Sequence, residues 1–574
     1  MGPKLVWLLW DAASAELAER FLSEGALPNL ALLAARGTRA AARPAWPCAQ
    51  TPPGMATLLT GAPTSVHGIY GYREAARPRS SRSALETETG FDARRLRAEP
   101  IWITASRSGL GSTLAFVPLA NPYSAYARGG PWEVRGAEVL AFEAYGAVLA
   151  GQAVHRSSDL ERSADAFRLV VPFSANAPTL ELRATSGRVT VAAPGGDPVE
   201  LPAGTPVALP LGERIGVTLL LLESSGSNFA LWRSGVWRLD ASQSEAAQAL
   251  FRRAGPFLGS GAGHAFRDGL LGKTWREGGA GEAEARFLAS LRASSGFFTR
   301  ASAHVLEAHP APLTVLYEPC IDETAHLVQD GADRGDERAL GLMREAYRLA
   351  DAHLGAVVER AGDAVVAIGS DHGQEGVARV FRPNLALRAA GLLATGEAGE
   401  IDLGRTRALY GPAANGFVLV NAEGSPRGIV PRSEVATVAR RVADLLLGAR
   451  DERGEPFLRA AYLANEVAPR GRIPADDAGE VFLVAAPGVA LSTSTEGPVS
   501  EPGHGGQHTT SLDAPGLDAL FVVAGPGVPR LGRLGERIEN LDVAPTLARL
   551  VGLPPPRDAA GRDVFDRQIQ PRCT

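Results

Sequence analysis

The sequence predicts an α/β sandwich with a largely parallel central sheet, because strand-length apolar runs alternate with amphipathic helical patterns. Three of these runs lead towards a carboxylate: Val6–Trp10 towards Asp11, Leu313–Tyr317 towards Asp322, and Ala364–Gly369 towards Asp371. Unbroken apolar runs are typical of strands that are covered on both faces. Acids at the carboxyl ends of such strands point into the crevice where open α/β sheets bind ligands.

The first of these acids, Asp11, is followed by a helical pattern through Leu17 and Phe21. A simple role as the N-cap of that helix therefore stays open beside the role of a ligand. Two prolines, Pro52 and Pro53, mark another helix start, since proline is tolerated in the first turn.

We expect Thr51 at the N-cap of this second helix, where its hydroxyl faces the positive helix end and a phosphate group would also settle. An ordinary threonine cap is the alternative.

Asp and His residues recur after the two later strands. If the segment after Leu313–Tyr317 is helical, Asp322 and His326 lie four residues apart on one face and can bind one ion. Asp371 and His372 are adjacent and come two and three residues after the apolar run Ala364–Gly369. Mixed oxygen and imidazole ligands suit zinc or manganese, whereas magnesium and calcium prefer oxygen alone. Polar surface and a solvated loop end are the alternatives.

A glycine-rich loop, Glu501–His508, supplies one more histidine. Glycines around His504 let the backbone approach a bound group closely, but His508 is a rival ligand on the same loop. Spacing alone does not decide between the two histidines.

These fragments together resemble the alkaline phosphatase superfamily, and more narrowly its type I phosphodiesterase and nucleotide pyrophosphatase branch, which includes predicted bacterial phosphohydrolases and phosphomutases. The matching motifs follow in the expected order: Asp11, Gly25–Leu30, Thr51–Gly61, His67–Tyr72, Asp322 with His326, Ser370–Gly373, His504–Gly506, Ala524–Gly527, Leu541–Leu547 and Gly552–Pro554. The resemblance covers roughly residues 1–140 and 300–565.

The resemblance implies two divalent ions, zinc or manganese, at an alkaline-phosphatase-like core. One ion is held by Asp322, His326 and His504, and the other by Asp11, Asp371 and His372. Thr51 then ligates the second ion and acts as the nucleophile, through a covalent phospho-threonine. His67, close to the nucleophile helix, is interpreted as structural.

Sulfatases of the superfamily need a cysteine or serine, converted to formylglycine, where this chain has Thr51, and an arginine where it has Met55. The sequence therefore predicts a two-metal phosphodiesterase rather than a sulfatase. A phosphomutase or phosphomonoesterase of the same superfamily, and a non-catalytic metal-containing binding protein, remain as alternatives.

Composition agrees with a small phosphate-ester substrate. The net charge is −5 for 574 residues, which gives no electrostatic reason to expect a nucleic-acid polymer as partner. Three cysteines without metal-type spacing do not indicate a disulfide framework. The first apolar run is too short for a signal-peptide core or a membrane span, so we expect a cytoplasmic protein. The sequence does not predict the oligomeric state.

Changes in the sequence pattern divide the chain into a core in three parts, residues 1–145, 280–381 and 485–574, and two insertions. Short strand-like segments between turn residues predict a β-rich insertion at 150–265. A smaller insertion at 382–484 is expected to cap the metal crevice.

Overall fold

The computed structural model describes residues 2–143, 145, 148–175, 177–464, 466, 478–509 and 514–566. Within these residues, ten strands form the central sheet. They are β1 (Leu5–Trp10), β2 (Gly37–Arg43), β3 (Ser112–Ala115), β4 (Val139–Glu143), β5 (Asp240–Ala241), β6 (Leu313–Glu318), β7 (Val365–Gly369), β8 (Ala519–Ala524), β9 (Gly532–Arg533) and β10 (Ile538–Glu539).

The spatial order of the sheet is β5-β4-β3-β6-β1-β7-β8-β2-β9, and β10 also pairs with β2. The run β4-β3-β6-β1-β7 is parallel throughout. β8 is antiparallel to both of its neighbours, and β5 is antiparallel to β4. Every residue of β1, β6, β7 and β8 is buried, as expected for strands covered on both faces.

The helices of the described chain are α1 (Ala15–Ser23), α2 (Pro28–Ala35), α3 (Thr51–Thr60), α4 (Thr64–His67), α5 (Ile101–Arg107), α6 (Ser244–Ala254), α7 (Gly263–Arg267), α8 (Glu282–Ala308), α9 (Cys320–Asp333), α10 (Glu337–Ala361), α11 (Pro383–Ala389), α12 (Val435–Leu447) and α13 (Val543–Leu550). α10 packs against α8, α9 and α2, and α3 packs against α13. Among the described helices, none has the length and apolar character needed to cross a membrane.

Two antiparallel sheets lie between β4 and β5 in the chain. One consists of Glu161–Ser163, Ala166–Val170, Thr179–Thr185, Arg188–Ala192 and Val199–Leu201. The other consists of Val148–Ala150, Ala153–Arg156, Pro206–Gly212, Ile215–Ser225, Asn228–Arg233 and Val236–Arg238. Leu182 and Val191 of the first sheet share a hydrophobic core with Leu219 and Leu231 of the second.

A further antiparallel sheet accompanies α11 and α12, and its strands are Ala408–Tyr410, Phe417–Val420, Leu458–Leu463 and Val481–Ala485. Smaller sheets pair Arg379–Phe381 with Val489–Leu491 and Ser500–Pro502, Glu375–Gly376 with Gly506–Gln507, and Arg73–Ala75 with Thr87–Thr89. The predicted α/β fold with a largely parallel central sheet and additional β-rich regions is confirmed.

Candidate metal centre and active site

Three neighbouring strands bring the predicted acids to one edge of the sheet. β6, β1 and β7 are adjacent and parallel, so their carboxyl ends meet there. Asp11 directly follows β1, Asp371 lies two residues after β7, and Asp322 is in the first turn of α9, which follows β6. Asp11 and Asp371 are buried, and Asp322 is half-buried.

Thr51 is the first residue of α3, with Gln50 rather than Thr51 in the N-cap position. This one-residue difference from the sequence prediction leaves the hydroxyl at the helix start, and helix ends are commonly ambiguous by this much. The Thr51 Oγ1 atom lies 3.4 Å from the Nε2 atom of His372. Thr51 is buried, as are Pro52 and Pro53 behind it.

The first turn of α3 offers few backbone donors. Pro52 and Pro53 have no N–H group, and the N–H of Gly54 donates to the Gln50 carbonyl at 2.9 Å. The helix end therefore presents a positive partial charge rather than a set of free N–H groups.

His372 is the centre of one group of ligand atoms. Its Nε2 atom lies 3.1 Å from Asp371 Oδ2 and 3.8 Å from Asp11 Oδ1. Side-chain atoms of Asp11, Asp322 and His372 also lie within 4.8 Å of one another. Asp322 therefore stands between this group and a second one.

The second group consists of Asp322, His326 and His508. The two histidine Nε2 atoms are 3.2 Å apart, and Asp322 Oδ1 lies 3.4 Å from His326 Nε2 and 3.8 Å from His508 Nε2. The rings of His508 and His372 stack with centroids 3.9 Å apart, so the two groups are contiguous.

The structure brings His508, and not His504, to the cluster. His508 is 8% exposed, whereas His504 lies on the exposed side of the loop. Between them, Gly505 has a positive φ of 78°, and a Cβ atom at this position would lie only 2.2 Å from the His326 carbonyl oxygen. The loop thus approaches α9 through a glycine and turns His508 inwards.

All three histidines of the cluster are oriented in the same way. The Nδ1 atoms of His326, His372 and His508 lie 3.1, 3.0 and 3.3 Å from the backbone carbonyl oxygens of Gly506, Gly373 and Ala49. A carbonyl oxygen only accepts, so each Nδ1 carries the proton and donates. In the neutral imidazole this leaves the Nε2 lone pair directed at the cluster, which is how metal-binding histidines are held.

The charges of the cluster favour a bound cation. Burial raises the pKa of Asp11 well above its usual range, and the carboxylates of Asp371 and Asp322 raise it further. Burial opposes the charged form of His372, but Asp371 and Asp322 outweigh this effect and raise its pKa. Burial and the neighbouring histidines lower the pKa of His508. Among the described residues, neither Asp11 Oδ1 nor Asp371 Oδ2 has a hydrogen-bond partner, although both are buried.

The spacing of the ligand atoms fits first-row dications. A tetrahedral ion with bonds of about 2.0–2.1 Å holds its ligand atoms about 3.3 Å apart. The ligand atoms of Asp322, His326 and His508 lie 3.2, 3.4 and 3.8 Å from one another. Those of Asp371, Thr51 and Asp11 lie 3.1, 3.4 and 3.8 Å from His372 Nε2. Carboxylate and imidazole donors together suit zinc or manganese.

Three residues that sequence reasoning missed support the ligands. The Tyr317 hydroxyl donates to Asp11 Oδ2. Gln374 Nε2 donates to Asp322 Oδ1 at 2.6 Å, and Asn540 Nδ2 donates to the Asp371 carbonyl at 2.6 Å. Tyr317 and Gln374 each lie within five residues of a predicted ligand in the sequence, which was the available signal. Asn540 gave no such signal.

His67 and the two described cysteines lie outside the cluster. The His67 Nδ1 atom accepts the N–H of Ile69 at 3.1 Å, so its Nε2 atom carries the proton and donates to Thr57 Oγ1 at 3.0 Å. Cys48 and Cys320 are buried free thiols. Burial raises the pKa of the Cys48 thiol to about 12, so it stays protonated at neutral pH.

Residues 5–193 and 262–511 match the family model described as type I phosphodiesterase/nucleotide pyrophosphatase. No curated protein sequence matches the chain significantly. Among solved structures, murine ectonucleotide pyrophosphatase/phosphodiesterase 5 shares 15% identity, with 98% of each chain covered and a TM-score of 0.51. The same values hold for that protein as an inactive threonine-to-alanine variant in complex with AMP. Phosphonoacetate hydrolase from Sinorhizobium meliloti 1021, in complex with phosphonoformate, shares 15% identity over 96% of each chain, with a TM-score of 0.45.

At 15% identity, the likeness to the murine structures shows the fold. The family model covers well over half of the chain, confirms the resemblance drawn from the sequence motifs, and indicates a hydrolase of phosphate esters. The chain belongs to the type I phosphodiesterase/nucleotide pyrophosphatase family.

Proposed function

We propose that the protein hydrolyses phosphodiesters with two divalent cations, zinc or manganese, and with Thr51 as the nucleophile. The observation that carries the proposal is the pair of contiguous ligand groups around His372 and His508, which meet at the hydroxyl-bearing start of α3. Thr51 by itself would be an ordinary buried threonine, but its Oγ1 atom lies 3.4 Å from a ring nitrogen of the cluster.

The chain offers one set of side chains for each ion. Asp322, His326 and His508 would hold the first, so that His508 replaces His504 in the set that the sequence motifs implied. Asp11, Asp371, His372 and Thr51 would hold the second: Asp371 Oδ2, Asp11 Oδ1 and Thr51 Oγ1 all lie within 3.8 Å of His372 Nε2.

When bound, two dications supply Lewis-acid stabilisation of the charge that develops on the attacking and leaving oxygens during in-line displacement. The residues of the chain position the nucleophile, the phosphate and the metal ligands. Burial keeps the Thr51 hydroxyl apart from bulk water, and the positive end of α3 favours the negative charge of a phosphate beside it. The Nδ1 hydrogen bonds of the histidines fix their rings before substrate arrives.

The covalent route has two balanced steps. Thr51 Oγ1 loses its proton and forms a bond to phosphorus as the bond from phosphorus to the leaving oxygen breaks, and the departing alkoxide takes up one proton in exchange. A water molecule then attacks the phosphorus of the phospho-threonine, which releases the Thr51 hydroxyl and a phosphomonoester. The inactivity ascribed to a threonine-to-alanine variant of the murine neighbour supports a threonine in this role.

The test compares two nitrophenyl esters of phosphate, a diester and a monoester, on protein reconstituted with zinc or manganese. We expect turnover that a chelator abolishes, with the diester preferred. Thr51→Ala should lower turnover at least about 1,000-fold, whereas Thr51→Ser, which keeps a hydroxyl, should retain part of it.

Equal turnover by Thr51→Ala would exclude the covalent route. A preference for the monoester would exclude the phosphodiesterase assignment. Turnover of neither ester by the metal-loaded protein would argue for transfer between hydroxyls or for binding without catalysis.

A further inference from the structure

Tyr317 and Asp11 lie on the same face of two neighbouring strands. In the parallel pair β1 and β6, Leu9 is in register with Tyr317. Side chains alternate along a strand, so Asp11, two positions after Leu9, points to the same side as Leu9 and Tyr317. The backbone continues this pairing for one more step, since the N–H of Asp11 donates to the Glu318 carbonyl at 3.1 Å.

The two oxygens of Asp11 have different surroundings. Oδ2 accepts the hydroxyl proton of Tyr317. Oδ1 has no hydrogen-bond partner among the described residues and lies 3.8 Å from His372 Nε2. Asp11 is only 2% exposed, so bulk water has little access to either carboxylate oxygen. Oδ2 is thus hydrogen-bonded to Tyr317, whereas Oδ1 can bind a cation in the cluster.

An aromatic cage holds the Tyr317 ring. Tyr145 and Phe298 contact it edge-on, with centroids 6.2 and 6.1 Å away and interplanar angles of 80° and 79°. Phe257 in turn contacts Tyr145 at 5.0 Å and Phe298 at 5.9 Å. Edge-to-face packing of this kind favours one ring orientation, so the direction of the hydroxyl is set by residues that do not touch the cluster.

We propose that Tyr317 is a positioning residue that makes Asp11 a one-oxygen ligand of the second cation. This inference rests on the proposed function and names a residue outside its ligand set. Without the hydroxyl, the Asp11 carboxylate loses the hydrogen bond that fixes its rotation, and the buried Oδ2 atom is left unpaired. Outer partners of metal ligands typically contribute 10–100-fold in metal affinity.

The test is a titration of metal-free protein with Co²⁺ alone, followed by calorimetry and by the visible absorption of the bound ion. The variant is Tyr317→Phe, which keeps the ring in its cage and removes only the hydroxyl. The matched control is Tyr347→Phe, because Tyr347 is also buried and its hydroxyl donates to the Ser14 carbonyl at 3.2 Å, away from the ligands.

We expect the wild type to bind two ions, and Tyr317→Phe to bind one of them about 10–100-fold more weakly with a changed absorption spectrum. Tyr347→Phe should bind both ions as the wild type does. Identical affinities and spectra for Tyr317→Phe and the wild type would overturn the inference. A wild type that binds no Co²⁺ would instead overturn the proposed function, so the two failures are distinguishable.

Discussion

The Nε2 atoms of His326 and His508 lie 3.2 Å apart, and the Nδ1 atom of each ring donates to a backbone carbonyl. Two imidazole lone pairs are therefore directed at the same small volume. Such an arrangement is repulsive unless a proton or a metal cation lies between the nitrogens, and Asp322 Oδ1 lies 3.4 and 3.8 Å from them. The backbone contacts of these two rings thus make the first site favourable for a cation.

We predict that His508→Ala and His504→Ala behave differently. His508→Ala removes a ligand of the first site and should weaken binding of one dication more than about 100-fold, the upper end of what loss of an outer partner costs. His504→Ala removes an exposed side chain from the same loop and should leave both affinities unchanged. Calorimetric titration of the two metal-free variants with Zn²⁺ makes the comparison.

The His504 variant is the matched control, because it alters the same loop, four residues away. A loss of affinity in His504→Ala with none in His508→Ala would restore the ligand set that the sequence motifs implied.

Most of the candidate site was predictable because its residues follow buried strands. Asp11, Asp322 and Asp371 come after unbroken apolar runs, and the carboxyl ends of neighbouring parallel strands must meet. The order of the strands was not predictable, since β8 comes from the last part of the chain and inserts antiparallel between β7 and β2. That pairing depends on contacts between segments far apart in the sequence.

The choice of histidine depended on tertiary structure. His504 and His508 share a glycine-rich loop, and the local sequence does not indicate which of them turns towards the cluster. The direction is set by Gly505, whose N–H donates to Asp330 Oδ1 and whose carbonyl accepts the N–H of Asp330. The hydrogen bond from Tyr317 to Asp11 was equally unpredictable from the sequence, because it depends on the register of β1 against β6.

Asp330 should therefore affect metal binding without touching the cluster. Its Oδ1 atom accepts the Gly505 N–H at 2.9 Å. Burial alone would raise the pKa of Asp330, but Arg276, Arg334 and this N–H together hold it at about 2. We predict that Asp330→Ala frees the Gly505 loop from α9 and lowers the affinity of the first site for its dication about 10-fold, measured by Zn²⁺ titration.

Asp336→Ala is the comparison variant, because Asp336 caps α10 by accepting the Arg338 N–H at 2.8 Å. It should lower the free energy of unfolding by about 1 kcal/mol while leaving metal affinity unchanged. Equal metal affinities for Asp330→Ala and Asp336→Ala would show that the loop holds His508 without Asp330.

Gly54 lets α3 approach Asp371 closely. A Cβ atom at Gly54 would lie 2.9 Å from Asp371 Cβ and 3.2 Å from its carbonyl oxygen. Glycine to alanine inside a helix usually stabilises by about 0.5–1 kcal/mol. We predict the opposite sign for Gly54→Ala, about 1–3 kcal/mol of destabilisation from overpacking, with turnover reduced up to about 100-fold because Thr51 and Asp371 move apart.

Gly341→Ala in α10 is the matched substitution, since a Cβ atom there would meet nothing within 4 Å. It should raise the melting temperature slightly and leave turnover unchanged. Equal changes in melting temperature and turnover for the two variants would mean that α3 tolerates the extra methyl group.

The buried His67 predicts a defined loss of stability in acid. Burial lowers the pKa of His67 to about 3, whereas the unfolded chain titrates this group near its usual value of 6.5. Below pH 6.5 the unfolded chain takes up a proton that the folded protein refuses until about pH 3. The contribution of neutral His67 to the free energy of unfolding is therefore complete above pH 6.5 and is lost as the pH falls. The loss amounts to about 3 kcal/mol at pH 4.5.

His67→Gln should remove this dependence while keeping a donor near Thr57 Oγ1. The measurement is urea unfolding of metal-free wild type and variant from pH 7.5 to pH 4.5. The stability advantage of the wild type should shrink by about 1.4 kcal/mol for each pH unit below about 6. The exposed His264, changed to Gln, should give a curve parallel to the wild type, and a pH-independent difference for His67→Gln would show that the folded protein accepts the proton.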